Sequence, residues 1–136
     1  IEPALARGLM AIPGARAVEF SSGTSASVMR GSDHNDAWLP GDSDPVPEGA
    51  DSAQADGALG GRSTSAPISA RVHFKPPSSL PREQFTLHLP SDEIRSLKVG
   101  GRHDPVIGPR AAPVVEAVAM LVIADLGMTG GYIGTD

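Results

Sequence analysis

Cysteine is absent from this chain of 136 residues, and aromatic side chains are scarce, with three Phe, one Tyr and one Trp. The lack of cysteine excludes disulfides and thiolate chemistry and is typical of a reducing compartment, so we expect a cytoplasmic protein. The longest uninterrupted apolar run, residues 117–124, is far shorter than the ~20 residues of a membrane span. No signal peptide is visible, and no membrane partner is expected.

Basic residues are too few and too scattered for a nucleic-acid-binding surface. The net charge is −5, and residues 1–61 hold nine acidic but only three basic side chains, whereas residues 62–136 hold seven and eight. A nucleic-acid-binding protein needs a basic stripe on one face, so no nucleic-acid partner is expected. The second half of the chain still has enough Arg and Lys to bind one phosphate group.

The patterning predicts both helices and antiparallel strands, which indicates an α+β fold of antiparallel strands packed on buried helices. Alternation of apolar and polar residues predicts strands, and a proline in the first turn favours a helix start. Strands are predicted at residues 15–20, 24–30, 68–75, 85–89 and 94–99, and helices at residues 3–10 and 113–126. The last two strands flank a Pro-Ser-Asp turn and are expected to pair. Because the chain begins with Ile1 and not Met, and a helix is already predicted from residue 3, a truncated start is expected.

The predicted helix at residues 113–126 is apolar on nearly every face, with Glu116 and Asp125 as the exceptions. Such a helix is typically buried on more than one side. The rest of the chain is too short to cover it. We therefore expect a further portion of the protein, a second subunit, or both, to complete its surroundings.

Residues 37–58 differ in composition from the rest, with three prolines, five acidic residues and no basic residue before position 59. This composition predicts a long mobile loop at the surface. A surface insertion is the favoured interpretation, and a lid over a binding site is the alternative.

Histidine patterns do not indicate a metal or hydrolase site. His73 and His88 fall on the polar faces of alternating strands and are predicted to lie at the surface. His34 and Asp36 suit a metal ion, but turns are rich in such residues and no second cluster has ligand spacing, so no metal site is predicted. A Ser-His-Asp hydrolase is rejected because no G-x-S-x-G motif is present.

The turn at residues 100–105, with the sequence GGRHDP, is the best local candidate for a binding site. Arg102 suits a phosphate or carboxylate, and Asp104 beside a cofactor can move a proton. An Arg–Asp ion pair that only holds the turn is equally compatible. Lys75, followed by two prolines and two serines, suits a phosphate, while Gly60 and its neighbouring glycine suit either a close ligand approach or a turn.

Four segments, in order along the chain, resemble the chorismate synthase family. Residues 101–117 resemble its signature G-R-H-D-P, followed by R-A-x-P and an acidic residue in an apolar helix. Residues 12–19 (IPGARAVE), 30–36 (RGSDHND) and 74–79 (FKPPSS) resemble its I-P-A-V-K-G-V-E, R-G-S-x-x-N-D and K-P-T-x-[ST] segments. Four collinear matches are far more specific than one.

The resemblance implies that residues 1–136 form the C-terminal portion of a chorismate-synthase-like domain, part of a β-α-β sandwich. It implies a lyase that eliminates phosphate from 5-enolpyruvylshikimate 3-phosphate to give chorismate, in the shikimate pathway. Reduced FMN is the implied cofactor, NADP is implied alongside it, and the full-length protein is expected to be a homotetramer.

The resemblance also assigns roles to individual residues. The positions that fall where the family contacts FMN are Pro13, Gly14, Gly60, Lys75, Pro76, Pro77, Ser78, Ser79 and Arg102. Arg102 also falls near the substrate, and Asp104 matches the carboxylate proposed to assist proton transfer at the flavin. The family's N-terminal half, with its catalytic histidines, lies outside this sequence, so the isolated chain is expected to be inactive. Departures over residues 53–65 leave an alternative, a non-catalytic flavin-binding or oligomerisation module.

Overall fold

The computed structural model describes residues 1–40, 46–47, 57–64 and 66–134. In chain order the elements are α1 (Glu2–Met10), β1 (Ala15–Phe20), a 3₁₀ helix (Gly23–Val28), β2 (Trp38–Leu39), β3 (Val46–Pro47), β4 (Ala58–Leu59), β5 (Arg62–Ser63), β6 (Ala70–Phe74), β7 (Glu83–His88), β8 (Glu93–Lys98) and α2 (Gly108–Thr129). The strands of this described part form four antiparallel pairs, β1–β6, β2–β3, β4–β5 and β7–β8. The predicted α+β class is confirmed.

The hydrophobic core is built around α1 and the start of β1. Leu5 and Leu9 lie one helical turn apart, so both point to the same side of α1, and both are buried. Ile12 and Ala15 complete this buried cluster as the chain passes from helix to strand. The helix is favoured at its start by Pro3 in the first turn, where the missing N–H has no helical partner to lose.

Helix α2 packs against α1 along one face. The residues it contributes to the core are spaced by three or four positions, which places them on one stripe: Val115, Val118, Ala119 and Val122. Gly8 makes the close approach of the two helices possible. A Cβ atom added at Gly8 would lie 2.7 Å from Cγ2 of Val122 and 3.4 Å from Cγ1 of Val118.

The β1–β6 pair covers the other side of the core. Val18 lies opposite Val72, and Phe20 lies opposite Ala70. Side chains of both strands, including Phe74, pack on the buried cluster. An irregularity in the register between Ala15 and Ala17 accompanies the entry into β1. Strand β6 is shorter than predicted at both ends, but its pairing with β1 joins two segments that are fifty residues apart.

The strand predicted at residues 24–30 is wrong, because Gly23–Val28 forms a 3₁₀ helix. Small hydroxyl side chains bind the local backbone here, and this competes with the strand ladder. The Ser27 hydroxyl donates to the carbonyl oxygen of Thr24 at 2.7 Å. The Thr24 hydroxyl donates to Oε1 of Glu19 at 2.9 Å, so the chain folds back on β1 and does not extend.

The helix predicted at residues 113–126 is longer, and the expectation that the rest of this chain is too short to cover it is confirmed. Helix α2 begins at Gly108, with Pro109 in its first turn and Pro113 in its interior. Only Ala111 is buried among its residues. The surface of α2 outside the stripe that packs on the core, which we call the outer face of α2, carries side chains that are 43–69% exposed: Val114, Met120, Leu121, Ile123 and Met128.

Helix α2 is also long and apolar enough to cross a membrane. Its mean hydropathy reaches 1.8 over an 18-residue window, of which 6% is buried. This criterion uses length and composition alone, and a core helix that another layer of structure covers also satisfies it. We therefore treat it as weak evidence for a membrane segment.

The predicted pairing of the two later strands is confirmed, with β7 and β8 each one residue or more displaced from the predicted bounds. Leu87 lies opposite Ile94 and Phe85 lies opposite Ser96, so the apolar residues share one face of the hairpin. Phe85 and Ile94 are well exposed on that face. Like the outer face of α2, it is an apolar surface that the described residues leave open.

The predicted mobile loop at residues 37–58 contains short paired strands at its described positions. Strand β2 pairs with β3, and β4 at the end of the segment pairs with β5. Residues 41–45 and 48–56 lie outside the described residues, so the predictions of mobility and of a lid stay predictions.

Leu9→Ala is expected to destabilise the fold, because Leu9 is 1% exposed at the centre of the core. The loss is about 2–5 kcal/mol in the free energy of unfolding, measured by chemical denaturation. Met10→Ala is the matched control, since Met10 is 45% exposed on the same helix, and its effect is expected to stay within about 0.5 kcal/mol. Equal losses for the two variants would contradict the assigned core.

Glu19 joins β1 to the 3₁₀ helix and to β6. Besides its bonds to Thr24, its Oε2 atom lies 3.1 Å from Nε2 of His73, and its side chain is 17% exposed. The hydrogen bond from the Thr24 hydroxyl is the main cause that lowers the pKa of Glu19 below its ordinary value of 4.5, and the bond from His73 adds to it. The ionised carboxylate is therefore the form that the folded chain favours.

Acidification is expected to weaken this junction. Because the folded pKa of Glu19 is lowered, its contribution to stability is fully present above pH 4.5 and is lost as the pH falls through the lowered value. Thermal unfolding midpoints measured between pH 7 and pH 3 should therefore fall less steeply in Glu19→Gln than in the unmodified chain. Glu93→Gln, which removes an exposed partner of Arg95 in the hairpin, is the control. A slope unchanged in Glu19→Gln would refute the assignment.

Candidate functional site

Lys75 leads from β6 into an extended segment that the two following prolines keep out of any sheet. The backbone N–H of Lys75 donates to the carbonyl oxygen of Gly14 at 2.9 Å, which continues the β1–β6 ladder by one bond. Pro76 and Pro77 have no N–H to donate, so the ladder stops there. The predicted phosphate-binding segment is therefore anchored at its first residue and then leaves the sheet.

Pro13 and Gly14, the predicted cofactor contacts before β1, lie close to the end of β6. The φ of Gly14, +90°, lies in the left-handed region, which favours glycine. A Cβ atom at this position would lie 3.7 Å from Cδ1 of Phe74 and 4.0 Å from Cδ1 of Ile107. Pro13 and Gly14 thus lie beside the end of β6 and the start of α2, where the sequence predicted a cofactor contact.

The turn at residues 100–105 faces the extended segment across a cavity of about 430 Å³. One wall consists of Pro76, Pro77, Ser79, Leu80 and Pro81, and the other of Gly101, His103, Asp104 and Pro105. An adjoining cavity of about 410 Å³ includes Lys75 and reaches the first residue of α2. The two signature segments, about 25 residues apart in the sequence, therefore line two cavities that share Pro76, Pro77 and Pro105.

Asp104 is paired with Arg110, not with Arg102. Nη1 of Arg110 lies 2.8 Å from Oδ2 of Asp104, and their side chains are 70% and 37% exposed. Nε2 of His103 lies 3.2 Å from the carbonyl oxygen of Gly100, which helps to close the turn. No side-chain ion pair or hydrogen bond of Arg102 or Lys75 is found within the described residues. Both cations are therefore available for an anionic ligand.

The residues of this region fit a flavin mononucleotide. Ligand sites are typically clefts of about 300–1,000 Å³ with apolar walls and a few convergent polar groups. Here the walls are mainly proline rings and Leu80, which suit a flat aromatic ring, while Lys75 in the adjoining cavity and the hydroxyl of Ser79 suit a phosphate. The predicted contacts Ser78 and Arg102 are not among the residues that line either cavity. Asp104 supplies a carboxylate at the wall of the same cavity.

Gly60 does not join the other predicted cofactor contacts. It lies in the β4–β5 turn, where the neighbouring Gly61 accepts a hydrogen bond from the N-terminal amine of Ile1 at 2.9 Å. Gly61 also lies beside Ile123 and Tyr132, near the end of α2. Roughly 28 Å of helix separates that end from the start of α2. The flavin contact of Gly60 stays a prediction.

A separate cavity of about 410 Å³ contains polar residues that sequence reasoning left without a role. His34 and Asp36 line it together with Trp38 and Phe20. In the part of the chain that the structure describes, no group of three or more His, Asp or Glu side chains is placed to hold a metal ion.

Sequence reasoning missed Arg110 as the partner of Asp104. The helix start was placed at Pro113, so Arg110 was assigned to a connection and not to the first turn of a helix. Pro109 was the signal that would have corrected this, because proline favours the first turn. With α2 beginning at Gly108, Arg110 has a rigid base close to the signature turn.

A model of one family, described as chorismate synthase, matches residues 1–128. Curated proteins named chorismate synthase agree. The relative from Aeropyrum pernix is 47% identical over 126 residues, covering 93% of this chain and 32% of the relative. The relative from Methanopyrus kandleri is 44% identical over 133 residues, covering 97% and 33%. One from Synechococcus sp. is 41% identical over 125 residues, covering 92% and 34%.

The fold and the site thus define an α+β portion in which the Gly-Arg-His-Asp-Pro turn lies beside a cavity. The chain belongs to the chorismate synthase family. It spans about a third of the length of the curated relatives it matches. The predicted family resemblance is confirmed.

Proposed function

We propose that this chain forms the C-terminal, FMN-contacting portion of a chorismate synthase. The whole enzyme removes a proton and phosphate from 5-enolpyruvylshikimate 3-phosphate in a 1,4-elimination, which yields chorismate without net oxidation or reduction. The observation that carries the proposal is the cavity of about 430 Å³ between the signature turn and the extended segment after β6. Family membership supports the reaction class, a carbon–oxygen lyase acting on a phosphate ester.

In this proposal the polar residues at the cavity and next to it in the chain have distinct tasks. Lys75, Ser78 and Ser79 bind the phosphate of the cofactor, because an ammonium and hydroxyls donate strong hydrogen bonds to phosphate oxygens. Arg102 offsets the negative charge of the substrate and cofactor. Asp104 holds or moves a proton beside the cofactor. Reduced FMN, when bound, supplies the electron-rich ring that the family's elimination requires.

The rest of the active site belongs to the two-thirds of the family's length that this chain does not span. We therefore propose that the isolated chain is inactive and contributes one wall of the site. A cytoplasmic location is part of the same proposal and rests on the lack of cysteine.

Titration with reduced FMN under anaerobic conditions tests the binding site. Lys75→Ala and Arg102→Ala are each expected to weaken binding by about tenfold or more, because each removes a charge-assisted contact to an anion. Arg95→Ala is the matched control, since Arg95 pairs with Glu93 in the β7–β8 hairpin and lines neither cavity. The measurement is made on the chain alone and on the chain completed by the remaining portion of the Aeropyrum pernix relative. No flavin binding in either form would refute the proposal.

A second candidate function, an oligomerisation module without catalysis, is favoured by the outer face of α2. Five apolar side chains on that face are 43–69% exposed. Contiguous exposed apolar surface of this kind marks sites of protein association. This candidate is compatible with a homotetramer of the full-length protein, which is part of the principal proposal.

Substitution of Leu121 tests association through α2. Leu121 is the most exposed of these five side chains, at 69%, so Leu121→Lys is expected to reduce self-association without loss of helical structure. Sedimentation velocity across a concentration series gives the oligomeric state, and circular dichroism checks the helix. Leu89→Lys, at an exposed position after β7, is the control. A chain that stays monomeric at all concentrations would exclude self-association of this fragment through that face.

A further inference from the structure

We infer that Arg110 is a positioning residue that fixes the Asp104 carboxylate at the wall of the signature cavity. Its Nη1 atom lies 2.8 Å from Oδ2 of Asp104. Arg110 does not line the cavity, whereas Asp104 does. Arg110 reaches this wall of the cavity through its contact with Asp104. The inference rests on the proposed function, because a proton-handling role for Asp104 gives its orientation a consequence.

The two partners differ in how firmly the backbone holds them. Asp104 lies in an irregular stretch without helix or strand, next to Pro105. Arg110 lies in the first turn of α2, where its own N–H bonds back to the carbonyl oxygen of Ile107 at 3.1 Å. The next residue, Ala111, is buried and anchors that turn. The ion pair thus ties a carboxylate on a loop to a side chain on a rigid element.

The contact leaves the other carboxylate oxygen for a ligand. Oδ2 of Asp104 takes the guanidinium, and no hydrogen bond to Oδ1 is found among the residues that the structure describes. In this inference the ion pair restrains the rotation of the carboxylate. Small errors in the placement of a reacting group have large effects on the reaction rate, so the orientation of the carboxylate affects turnover. This holds even though an exposed ion pair contributes little to the free energy of unfolding.

Arg110 is thereby distinguished from Arg102, the cation that the signature turn itself supplies. Arg102 has no ion pair within the described residues and is available to a ligand. The two arginines therefore have different roles: Arg102 is available to bind an anion, whereas Arg110 is paired with Asp104. Substitutions of the two are expected to differ in kind: Arg102→Ala affects binding, and Arg110→Gln affects turnover.

The test uses the chain completed by the remaining portion of the Aeropyrum pernix relative, with residues 1–128 replacing the matching third. Arg110→Gln is expected to lower kcat about tenfold with little change in KM, and Asp104→Asn to lower kcat about 100-fold. In the Asp104→Asn background, Arg110→Gln is expected to add less than about twofold, because both substitutions act on one group. Arg110→Lys is expected to recover most of kcat, since one nitrogen makes the contact.

The matched control is Arg95→Gln, which breaks an exposed ion pair of the same 2.8 Å length in the β7–β8 hairpin and is expected to leave kcat unchanged. Equal kcat for Arg110→Gln and the unmodified protein, or additive effects with Asp104→Asn, would overturn the inference. An inactive unmodified hybrid would count against the proposed function and the inference together. An active hybrid whose kcat is unchanged by Arg110→Gln would count against the inference alone.

A second measurement does not depend on activity. In the isolated chain, the guanidinium nitrogens of a paired arginine give separate NMR signals because rotation is restrained. Arg110 is expected to give such signals, and Asp104→Asn is expected to average them. Averaged signals in the unmodified chain would show that the pair does not form in solution and would overturn the inference.

Discussion

The contact between α1 and α2 at Gly8 is the constraint on which the rest of the structure depends. Without a side chain at Gly8, the two helices approach until Val122 lies almost against the backbone of α1. This contact closes the core over Leu5 and Leu9, and it fixes the direction of α2 relative to the β1–β6 pair. A short core of this kind has little redundancy, because few other large side chains are buried in the described residues.

The geometry of the candidate site depends on this packing of α1, α2 and the β1–β6 pair. The hydrogen bond from Lys75 to Gly14 fixes one wall at the end of β6, and the first turn of α2 fixes the other wall through Arg110. Neither wall lies on a strand or in the interior of a helix. Both are irregular, proline-rich segments, each held by a bond to a regular element at one end. The site is therefore more precisely placed than loops of this composition are by themselves.

Sequence patterning predicted the elements whose signals are local, and missed those decided by tertiary contacts. Strand β1 was placed correctly because its alternation is clear and a proline–glycine pair precedes it. The 3₁₀ helix at Gly23–Val28 was missed because it depends on the hydrogen bond from Thr24 to Glu19. The spacing of apolar residues in the sequence does not indicate such a bond. The start of α2 was missed because the helix was placed by its apolar run, which begins at Pro113, whereas the helix itself begins at Gly108.

Only the residue content of the candidate site was predictable from the sequence, because its pairings depend on tertiary contacts. The resemblance named both walls of the cavity, but only the three-dimensional arrangement shows that Asp104 pairs with Arg110 and that Gly60 lies at the other end of α2. Whether a turn that contains Arg and Asp uses its own arginine or a distant one is decided by the direction of the following helix. A pattern of residue types contains no information on that direction.

The outer face of α2 has a chemical consequence of its own. Met120 and Met128 lie there, 64% and 43% exposed, so their thioethers are open to oxidants as long as nothing covers the face. Oxidation would convert two apolar side chains into polar sulfoxides, which are poorly suited to burial against an apolar partner. The timing of coverage therefore matters for this chain. If the outer face of α2 is covered early, the two sulfur atoms are protected. If it is covered late, the partner has to pack on side chains that are already oxidised.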